Sequence, residues 1–199
     1  MRSKSEEDTL TGAKRVVYFA TGNKGKYEEA AEVAEGFGIQ LKQLRFNKLE
    51  IQSNKLEEIA SYAVRHAASA TKRAVVAEDA GLFIDALQGF PGPYSSYVYG
   101  TLGCEGVLRL MDHTKRRTAH FQAVVAFCSP SKPVRCFSGI VNGIINRKAK
   151  GNEGFGFDPI FMPLHHSETF AELSVTKKNR FSHRSKAFTK FFHWYMRTQ

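Results

Sequence analysis

The chain has 199 residues, 42% of them hydrophobic and 24% charged, with a formal net charge of +10. This composition is typical of a globular protein with a sizeable core, and the sequence has no apolar run of the roughly 18 residues that a membrane span needs. A basic balance suits nucleic acid, an acidic membrane surface or a small polyanionic substrate, and charge alone does not choose among them.

The N-terminus and the cysteines favour a cytoplasmic protein. Residues 1–14 lack the apolar centre of a signal peptide and predict a polar extension, so we expect a single domain over residues 15–199. Three cysteines, at positions 104, 128 and 136, have no zinc-binding spacing. They are expected to be buried small hydrophobic residues in a reducing compartment.

The first predicted elements are a strand, a polar turn and a helix. Val16–Phe19 is apolar and rich in β-branched and aromatic residues, which indicates a buried strand. From Lys24 onward the small and aromatic residues follow helical spacing, and glycines at 36 and 38 end the pattern. The turn between them exposes N–H groups at the positive end of a helix dipole beside two lysines, which predicts a polyanion site. A surface turn with solvated lysines is the alternative, and the spacing is not that of a P-loop.

Later patterning interleaves strands and helices, which predicts a mixed α/β sheet flanked by helices. The predicted strands are Ile39–Leu44, Ala74–Ala77, extended chain at Phe83–Leu87, Thr118–Cys128, and an antiparallel pair at Val134–Gly139 and Val141–Arg147. The predicted helices are Lys55–Lys72, a short one at Glu105–Met111, and a last one capped by Ser182. Gly89–Gly103 and Lys148–Pro159 are predicted loops, because glycine and proline recur in them.

Two adjacent acids, Glu78 and Asp79, follow the predicted strand Ala74–Ala77 and precede a glycine. The carboxyl end of a strand is a common position for a site, and two carboxylates are costly inside a core, so at least one should face a cleft, a cation or water. A simple turn is the alternative, because Asp shortly before Gly is common in turns. Glu50 and Glu58 could complete an oxygen ligand set for Mg²⁺, although each alone is typical of a solvated surface.

Two later segments carry groups suited to base recognition. Phe155 and Phe157 could stack on a base while Asp158 accepts its N–H groups, but aromatic loop residues that fold back onto the core have the same pattern. Residues 182–184, Ser-His-Arg, with Lys178 before them, supply donors for a purine carbonyl or a phosphate. An ordinary capped basic helix is the alternative there.

Seven motifs occur in one recognisable order, namely TGNKGK, LEIQ, AEDAGL, GFPGPYSSY, GFGFDPIF, TFAEL and K-x-x-x-SHR-x-KAF. Together they resemble the inosine triphosphate pyrophosphatase (Ham1-like) family from about Val16 to Phe188. The resemblance implies an elongated α/β fold of two lobes with the active site in the cleft between them, and commonly a homodimer. It also implies Mg²⁺-dependent hydrolysis of non-standard purine triphosphates (ITP, dITP, XTP) to the monophosphate and pyrophosphate.

Residue roles carry over from that family by motif. Asp79 and Lys26 match catalytic positions, Glu50 and Asp79 match two acids linked to the metal, and Asp79 is also the assigned proton acceptor, with Glu78 a substitute. The substrate-binding positions that the resemblance implies are Thr21, Gly22, Asn23, Lys24, Gly25, Lys26, Ala80, Phe155, Gly156, Phe157, Asp158, Lys178, His183 and Arg184.

The sequence departs from the family pattern at two positions and leaves two other functions open. Ala80 stands where the family often has Ser, and Ser96 where it often has Lys or Arg, and we expect both to affect affinity more than reaction type. One alternative is a non-catalytic basic module that binds nucleotide or nucleic acid, but no RRM, KH, zinc-knuckle or helix-turn-helix pattern is present, so no dedicated nucleic-acid partner is expected. The other is a pyrophosphatase with a different base preference, for example for modified pyrimidines.

Overall fold

The structure, a computed structural model, describes residues 15–45, 51–130 and 132–198, and a mixed β-sheet lies at its centre. The strands are β1 (Val16–Ala20), β2 (Gln40–Leu44), β3 (Val75–Ile84), β4 (Pro91–Gly92), β5 (Thr118–Cys128), β6 (Arg135–Ile145) and β7 (Phe161–Pro163). The helices are α1 (Lys24–Glu35), α2 (Leu56–Thr71), α3 (Ser95–Leu110), α4 (Val175–Asn179) and α5 (His183–Thr198). Within the described ranges the strand order is β2-β1-β3-β5-β6-β7, and β4 pairs with β3. β1 runs parallel to β2 and β3, and the other pairs are antiparallel, so the predicted mixed α/β sheet is confirmed.

Helices cover both faces of the sheet because side chains alternate along each strand. Val17 and Phe19 on β1 pack in a cluster with α1 and α5, whereas Tyr18 and Ala20 contact the cluster under α2. A third cluster lies at the far end of β3 and β5, where Leu82 packs with α3 and β7. β3 and β5 therefore contribute to hydrophobic clusters at both of their ends, and the site lies along their middle.

The chain through the two adjacent acids is a strand and not a turn, which corrects the prediction that a short strand ends at Ala77. β3 continues from Val75 to Ile84, and its ten residues pair with β5 from Cys128 to Ala119. The glycine at 81 serves a close approach, since a Cβ there would overlap the carbonyl of Gly92 on β4. Beyond Ile84 the chain forms a 3₁₀ turn at Asp85–Leu87 rather than extended structure.

The sequence prediction is wrong in two further places, both of which contain glycines. The predicted loop Gly89–Gly103 contains the first half of α3, which includes the predicted short helix and kinks at Gly103, where φ is 63°. The predicted strand pair 134–139 and 141–147 is one continuous strand, β6. A Cβ at Gly139 would overlap the carbonyl of His183, so this glycine permits α5 to lie against the sheet.

Other features agree with the sequence more closely. Strand Thr118–Cys128 has the predicted bounds, and Ser182 Oγ accepts the N–H of Ser185 at 3.1 Å, as expected of a helix cap. Cys128 is buried but Cys136 is exposed, contrary to expectation. Among the helices described, none combines the length and the apolar character that crossing a membrane requires.

Candidate active site

The two adjacent acids of β3 lie on opposite faces of the strand. Glu78 contacts Lys26 of α1 and Arg184 of α5. Asp79 is 9% exposed and lies on the wall of the smaller of two cavities in this region, beside Ile59 of α2. Because neighbouring side chains of a strand point apart, Glu78 faces the ion pairs and Asp79 faces the smaller cavity, while both acids also line the larger cavity described below.

The turn after β1 places the start of α1 beside this strand. Asn23 caps the helix, since its Oδ1 accepts the N–H of Lys26 at 2.9 Å, and Thr21 Oγ1 accepts the N–H of Asn23 at 3.1 Å. In the part of the chain that the structure describes, no acceptor binds the N–H groups of Lys24 and Gly25. The Lys24 side chain is 88% exposed and lies 3.3 Å from Glu28, so Lys26 is the lysine of this turn that faces the interior.

A chain of buried ion pairs with alternating charge extends inward from the start of α1. In order, the members of this ion-pair chain are Lys26, Glu78, Arg184, Glu29, Lys178 and Asp158. Successive nitrogen–oxygen distances along it are 2.8, 3.1, 2.6, 2.8 and 2.6 Å. Buried charges are stable only when they are paired in this way, so the chain fixes the phosphate-side lysine and the predicted base-side residues in one framework.

Burial and ion pairing shift the pKa values of the ion-pair chain in opposite directions, and their balance differs between residues. At Glu29, burial raises the pKa, but Arg184 and Lys178 outweigh it, and the carboxyl has a lowered pKa. At Asp158, burial dominates over Lys178, and the pKa is raised. Burial lowers the pKa of Arg184, but Glu78 and Glu29 reverse the effect and raise it. Arg184 and Glu29 are therefore firmly charged, whereas the raised pKa of Asp158 makes it protonate more readily than Glu29.

The two phenylalanines of the glycine-rich loop have different roles. Phe157 is buried and packs edge-on against Tyr99, with ring centroids 5.5 Å apart, so it folds back onto the core. The Phe155 ring instead lies 5.3 Å from Lys178 Nζ and 5.3 Å from Arg184 Cζ. Its carbons also occupy the space that a Cβ on Gly25 would need. Phe155 thus joins the start of α1 to the ion-pair chain by direct contact.

His183 is a buried, neutral ring at the start of α5. It stacks on Phe121 with centroids 4.7 Å apart and an interplanar angle of 11°. Burial lowers its pKa well below the ordinary value, and the nearby charges of Arg184 and Lys178 lower it further. Among the described residues, its Nδ1 has no hydrogen-bond partner. A buried ring nitrogen without a partner is a place where a ligand or water would be bound.

These elements enclose a cavity of about 460 Å³, a volume in the range of small-molecule sites. Twelve predicted site residues line it, namely Thr21, Gly22, Asn23, Lys26, Asp79, Ala80, Phe155, Gly156, Phe157, Asp158, His183 and Arg184. The cavity is not lined by Lys24, Gly25 or Lys178, although Gly25 and Lys178 lie against Phe155, which does line it. Asp79, Pro93 and Ser96 also border the second cavity, of about 330 Å³.

The sequence missed the buried role of Glu29 and offered Glu78 only as a substitute base. Glu29, 2% exposed, lies four residues before Val33 and eight before Phe37, so it continues the apolar stripe of α1 at helical spacing. An acidic residue on the apolar stripe of a helix is the sequence feature that could have indicated the buried role of Glu29. The ion pairs of Glu78 favour a positioning role over that of a base.

A divalent metal ion at this site would depend on carboxylates of the cavity wall. Within the described ranges, no three His, Cys, Asp or Glu side chains form a metal-binding group, and Glu50, the other predicted ligand, lies outside those ranges. Mg²⁺ is commonly held by one or two carboxylates together with substrate phosphates and waters. Asp79, a carboxylate on the cavity wall, therefore fits an ion that is bound together with a triphosphate.

The fold and the cavity define an α/β protein with an internal site of small-molecule size that both basic and acidic side chains line. The sequence model of the Ham1 family matches residues 17–194. The dITP/XTP pyrophosphatase of Methanopyrus kandleri is 47% identical over 179 residues, covering 90% of this chain and 95% of that protein. That of Pyrococcus horikoshii is 43% identical over 178 residues, covering 89% and 95%. The Staphylococcus aureus Ham1 protein structure has a TM-score of 0.80 at 28% identity, over 93% of this chain and all of that one. This chain belongs to the Ham1 family.

Proposed function

We propose that the protein hydrolyses dITP, XTP and ITP to the nucleoside monophosphate and pyrophosphate, with Mg²⁺ as cofactor. The observation that carries the proposal is one cavity with Lys26 and the start of α1 at one part and neutral His183 beside Arg184 at another. Relatives at 43–47% identity are named dITP/XTP pyrophosphatases, which supports the same substrates and an enzyme that hydrolyses an acid anhydride.

The phosphate side of the site follows from α1. Lys26 binds the triphosphate together with Gly22 and Asn23 of the turn before α1, which line the same cavity, and the positive end of the helix dipole adds to the lysine charge. Glu78 holds Lys26 Nζ at 2.8 Å, so the lysine is positioned before substrate arrives. Its charge then stabilises the pyrophosphate that leaves.

Asp79 supplies the reacting acid. It accepts the proton of the water that attacks the α-phosphorus, and the bond from that phosphorus to the β-bridging oxygen breaks as pyrophosphate leaves. Asp79 and Glu50 would hold Mg²⁺, which when bound neutralises phosphate charge and orients the triphosphate. The two carboxylate oxygens of Asp79 allow one to face the ion while the other accepts the proton.

Base selection is assigned to the buried end of the cavity. Arg184 has five N–H groups, and its contacts with Glu78 and Glu29 use at most three. The remaining donors, with His183, suit the 6-carbonyl of inosine or xanthosine. An adenine amino group there would leave buried donors unpaired, at a cost of about 1–3 kcal/mol for each lost partner.

The test is hydrolysis of ITP, XTP, dITP, ATP, GTP and dUTP, with pyrophosphate and phosphate measured separately, in Mg²⁺ and after removal of metal with EDTA. We expect monophosphate and pyrophosphate from the first three, and restoration of activity when Mg²⁺ is returned. Asp79→Asn should lower kcat by about 10²–10⁴-fold, whereas Asp112→Asn, at an exposed acid, should not. Release of phosphate with NDP, preference for dUTP, or binding without turnover would each contradict the proposal.

The two departures from the family pattern border the same cavity. Ala80→Ser and Ser96→Lys would restore a hydroxyl and a cation on the substrate side, so we expect KM to change more than kcat. Steady-state kinetics on ITP tests this, and a rise of many orders of magnitude in kcat would contradict it. We also propose a cytoplasmic homodimer, to be tested by light scattering and cell fractionation.

A further inference from the structure

A group of basic side chains lies at the end of the sheet where β5 begins and β6 ends. This basic patch consists of Lys115, Arg116, Arg117, Arg147, Lys148 and Lys150. Its two segments are about 30 residues apart in the chain, but the β5–β6 register pairs Thr118 with Ile144, and just beyond it the N–H of Ile145 donates to the carbonyl of Arg117 at 2.8 Å. The fold therefore joins two short basic runs into one surface.

Arg117 holds the two runs together. Its Nε donates to the carbonyl of Ile145 at 2.7 Å and its Nη2 to that of Asn146 at 2.9 Å. Its Nη1 donates to the carbonyl of Met111 at 2.9 Å, just past the end of α3. Burial and the charge of Arg147 lower the pKa of Arg117, in agreement with two guanidinium groups close together. The backbone under the patch is thus fixed by a side chain.

Most of the charge on the basic patch is not neutralised. Arg116 lies 3.2 Å from Asp85, and its side chain is 70% exposed. The other exposed members are Lys115, Arg147, Lys148 and Lys150, and in the described part of the chain no salt bridge involves them. Two acids lie beside the patch, Asp85 at Arg116 and Asp112 near Arg117, but the six basic residues outnumber them, so this surface is positive.

We propose that the basic patch binds the phosphate backbone of nucleic acid, without reading its sequence. The six basic residues lie on two segments just outside β5 and β6, at the end of two strands that run about 4.8 Å apart, so the cations are spread over more than one phosphate. A repeating polyanion uses such a spread, whereas a free nucleotide does not. Contacts from lysine and arginine to phosphate give affinity and salt dependence but no base preference.

The basic patch lies away from the reacting acid, Asp79, although the cavity wall extends toward the patch as far as Phe121. Asp79 and Ala80 pair with Val124 and Ala123 of β5, at least five residues from the start of that strand, or about 17 Å along it. This separation gives the proposal a test independent of catalysis. The absence of a recognised nucleic-acid module in the sequence is consistent with binding that depends on charge and not on a base-reading motif.

The experiment uses fluorescence anisotropy of labelled mixed-sequence strands of about 20 nucleotides, as single-stranded DNA, single-stranded RNA and duplex, between about 50 and 200 mM KCl. The test variant is Lys115→Glu with Lys148→Glu. The matched control is Lys42→Glu with Lys132→Glu, also at exposed lysines without a salt bridge in the described ranges. Each pair of changes lowers the formal net charge by 4, from +10 to +6.

We expect the wild-type protein to bind all three probes, with affinity falling steeply as salt rises. The test variant should lose about tenfold or more in affinity, and its salt slope for a single strand should fall by about 1.4, the value for two lost phosphate contacts. The control should change by less than about threefold. ITP hydrolysis should be retained by both variants, which separates this outcome from the proposed function.

Three results would overturn the proposal. The first is equal loss in test and control variants, which would mean that net charge alone acts. The second is no binding by the wild-type protein at the lowest salt. The third is sedimentation with phosphatidylserine vesicles together with no binding of nucleic acid, which would assign the patch to an anionic membrane surface.

Discussion

Glu29 is the central acid of the ion-pair chain, and its neutralisation is the sharpest test of that chain. The substitution Glu29→Gln keeps the shape of the side chain and removes its charge. Arg184 at 2.6 Å and Lys178 at 2.8 Å would each lose one of their two acidic partners, while Glu78 still pairs with the arginine and Asp158 with the lysine. Both cations are 2% exposed, so water cannot replace the lost carboxylate.

The expected cost follows from those two contacts. A hydrogen bond to a charged group contributes about 1.5–3 kcal/mol, and breaking a buried ion pair by removing one partner costs about 3–5 kcal/mol. We therefore expect the free energy of unfolding to fall by about 3–5 kcal/mol, a large part of the stability of an ordinary domain. Base selection should weaken as well, because Arg184 lines the cavity.

Urea denaturation measures the first effect, and the ratio of kcat/KM for ITP over ATP measures the second. Glu28→Gln is the matched control, because Glu28 is the adjacent residue of α1 and its salt bridge with Lys24 is exposed. Such exposed pairs contribute about 0–1 kcal/mol. A loss below about 1 kcal/mol for Glu29→Gln, or equal losses for both variants, would refute the reasoning that these buried charges depend on one another.

Two further predictions concern the same region. Gly25→Ala should raise KM and cost about 1–3 kcal/mol in stability, because its Cβ would overlap the Phe155 ring and the core must shift. The control is Gly100→Ala on α3, which has open space around it and does not line the cavity. Equal effects of the two variants in kinetics and urea denaturation would contradict this. Burial lowers the pKa of His183 in the folded protein below its ordinary value of 6.5. As the pH falls, the unfolded chain therefore takes up a proton at this histidine before the folded protein does. The free energy of unfolding should then decrease as the pH falls below about 6.5. This loss has a limiting slope of about 1.4 kcal/mol per pH unit. Urea denaturation from about pH 5 to 8 should show a smaller slope in His183→Gln, and an unchanged slope would contradict the assignment.

The parts of the site that the sequence predicted correctly are those with a local signal. The turn after β1, the buried strand before Glu78 and the cap at Ser182 depend on local patterns, and local patterns are what a sequence displays. The error at Asp79 arose because Asp-Ala-Gly favours a turn locally, whereas ten cross-strand pairs with β5 hold it in a strand.

The residues that the sequence missed are those defined by distant partners. Glu29 is 155 residues from Arg184 and 149 from Lys178, and only the packing of α1 against α5 and α4 brings these charges together. Gly81 and Gly139 were interpreted as breaks in strands, but each permits another backbone to come close. A glycine that ends a strand and a glycine that permits a close backbone approach look the same in the sequence, and only the tertiary structure distinguishes them.

The division of two neighbouring acids between the faces of β3 makes the protein sensitive to the alignment of that strand. A slip of one residue against β5 would exchange the faces of Glu78 and Asp79, placing the acid that holds Lys26 on the wrong face and leaving Arg184 without it. Gly81 opposes such a slip, because the next residues in either direction, Ala80 and Leu82, carry the Cβ that the carbonyl of Gly92 excludes. The contact of Gly81 with β4 therefore protects the arrangement of both acids. Insertion or deletion of one residue within β3 should be far more damaging than a substitution there.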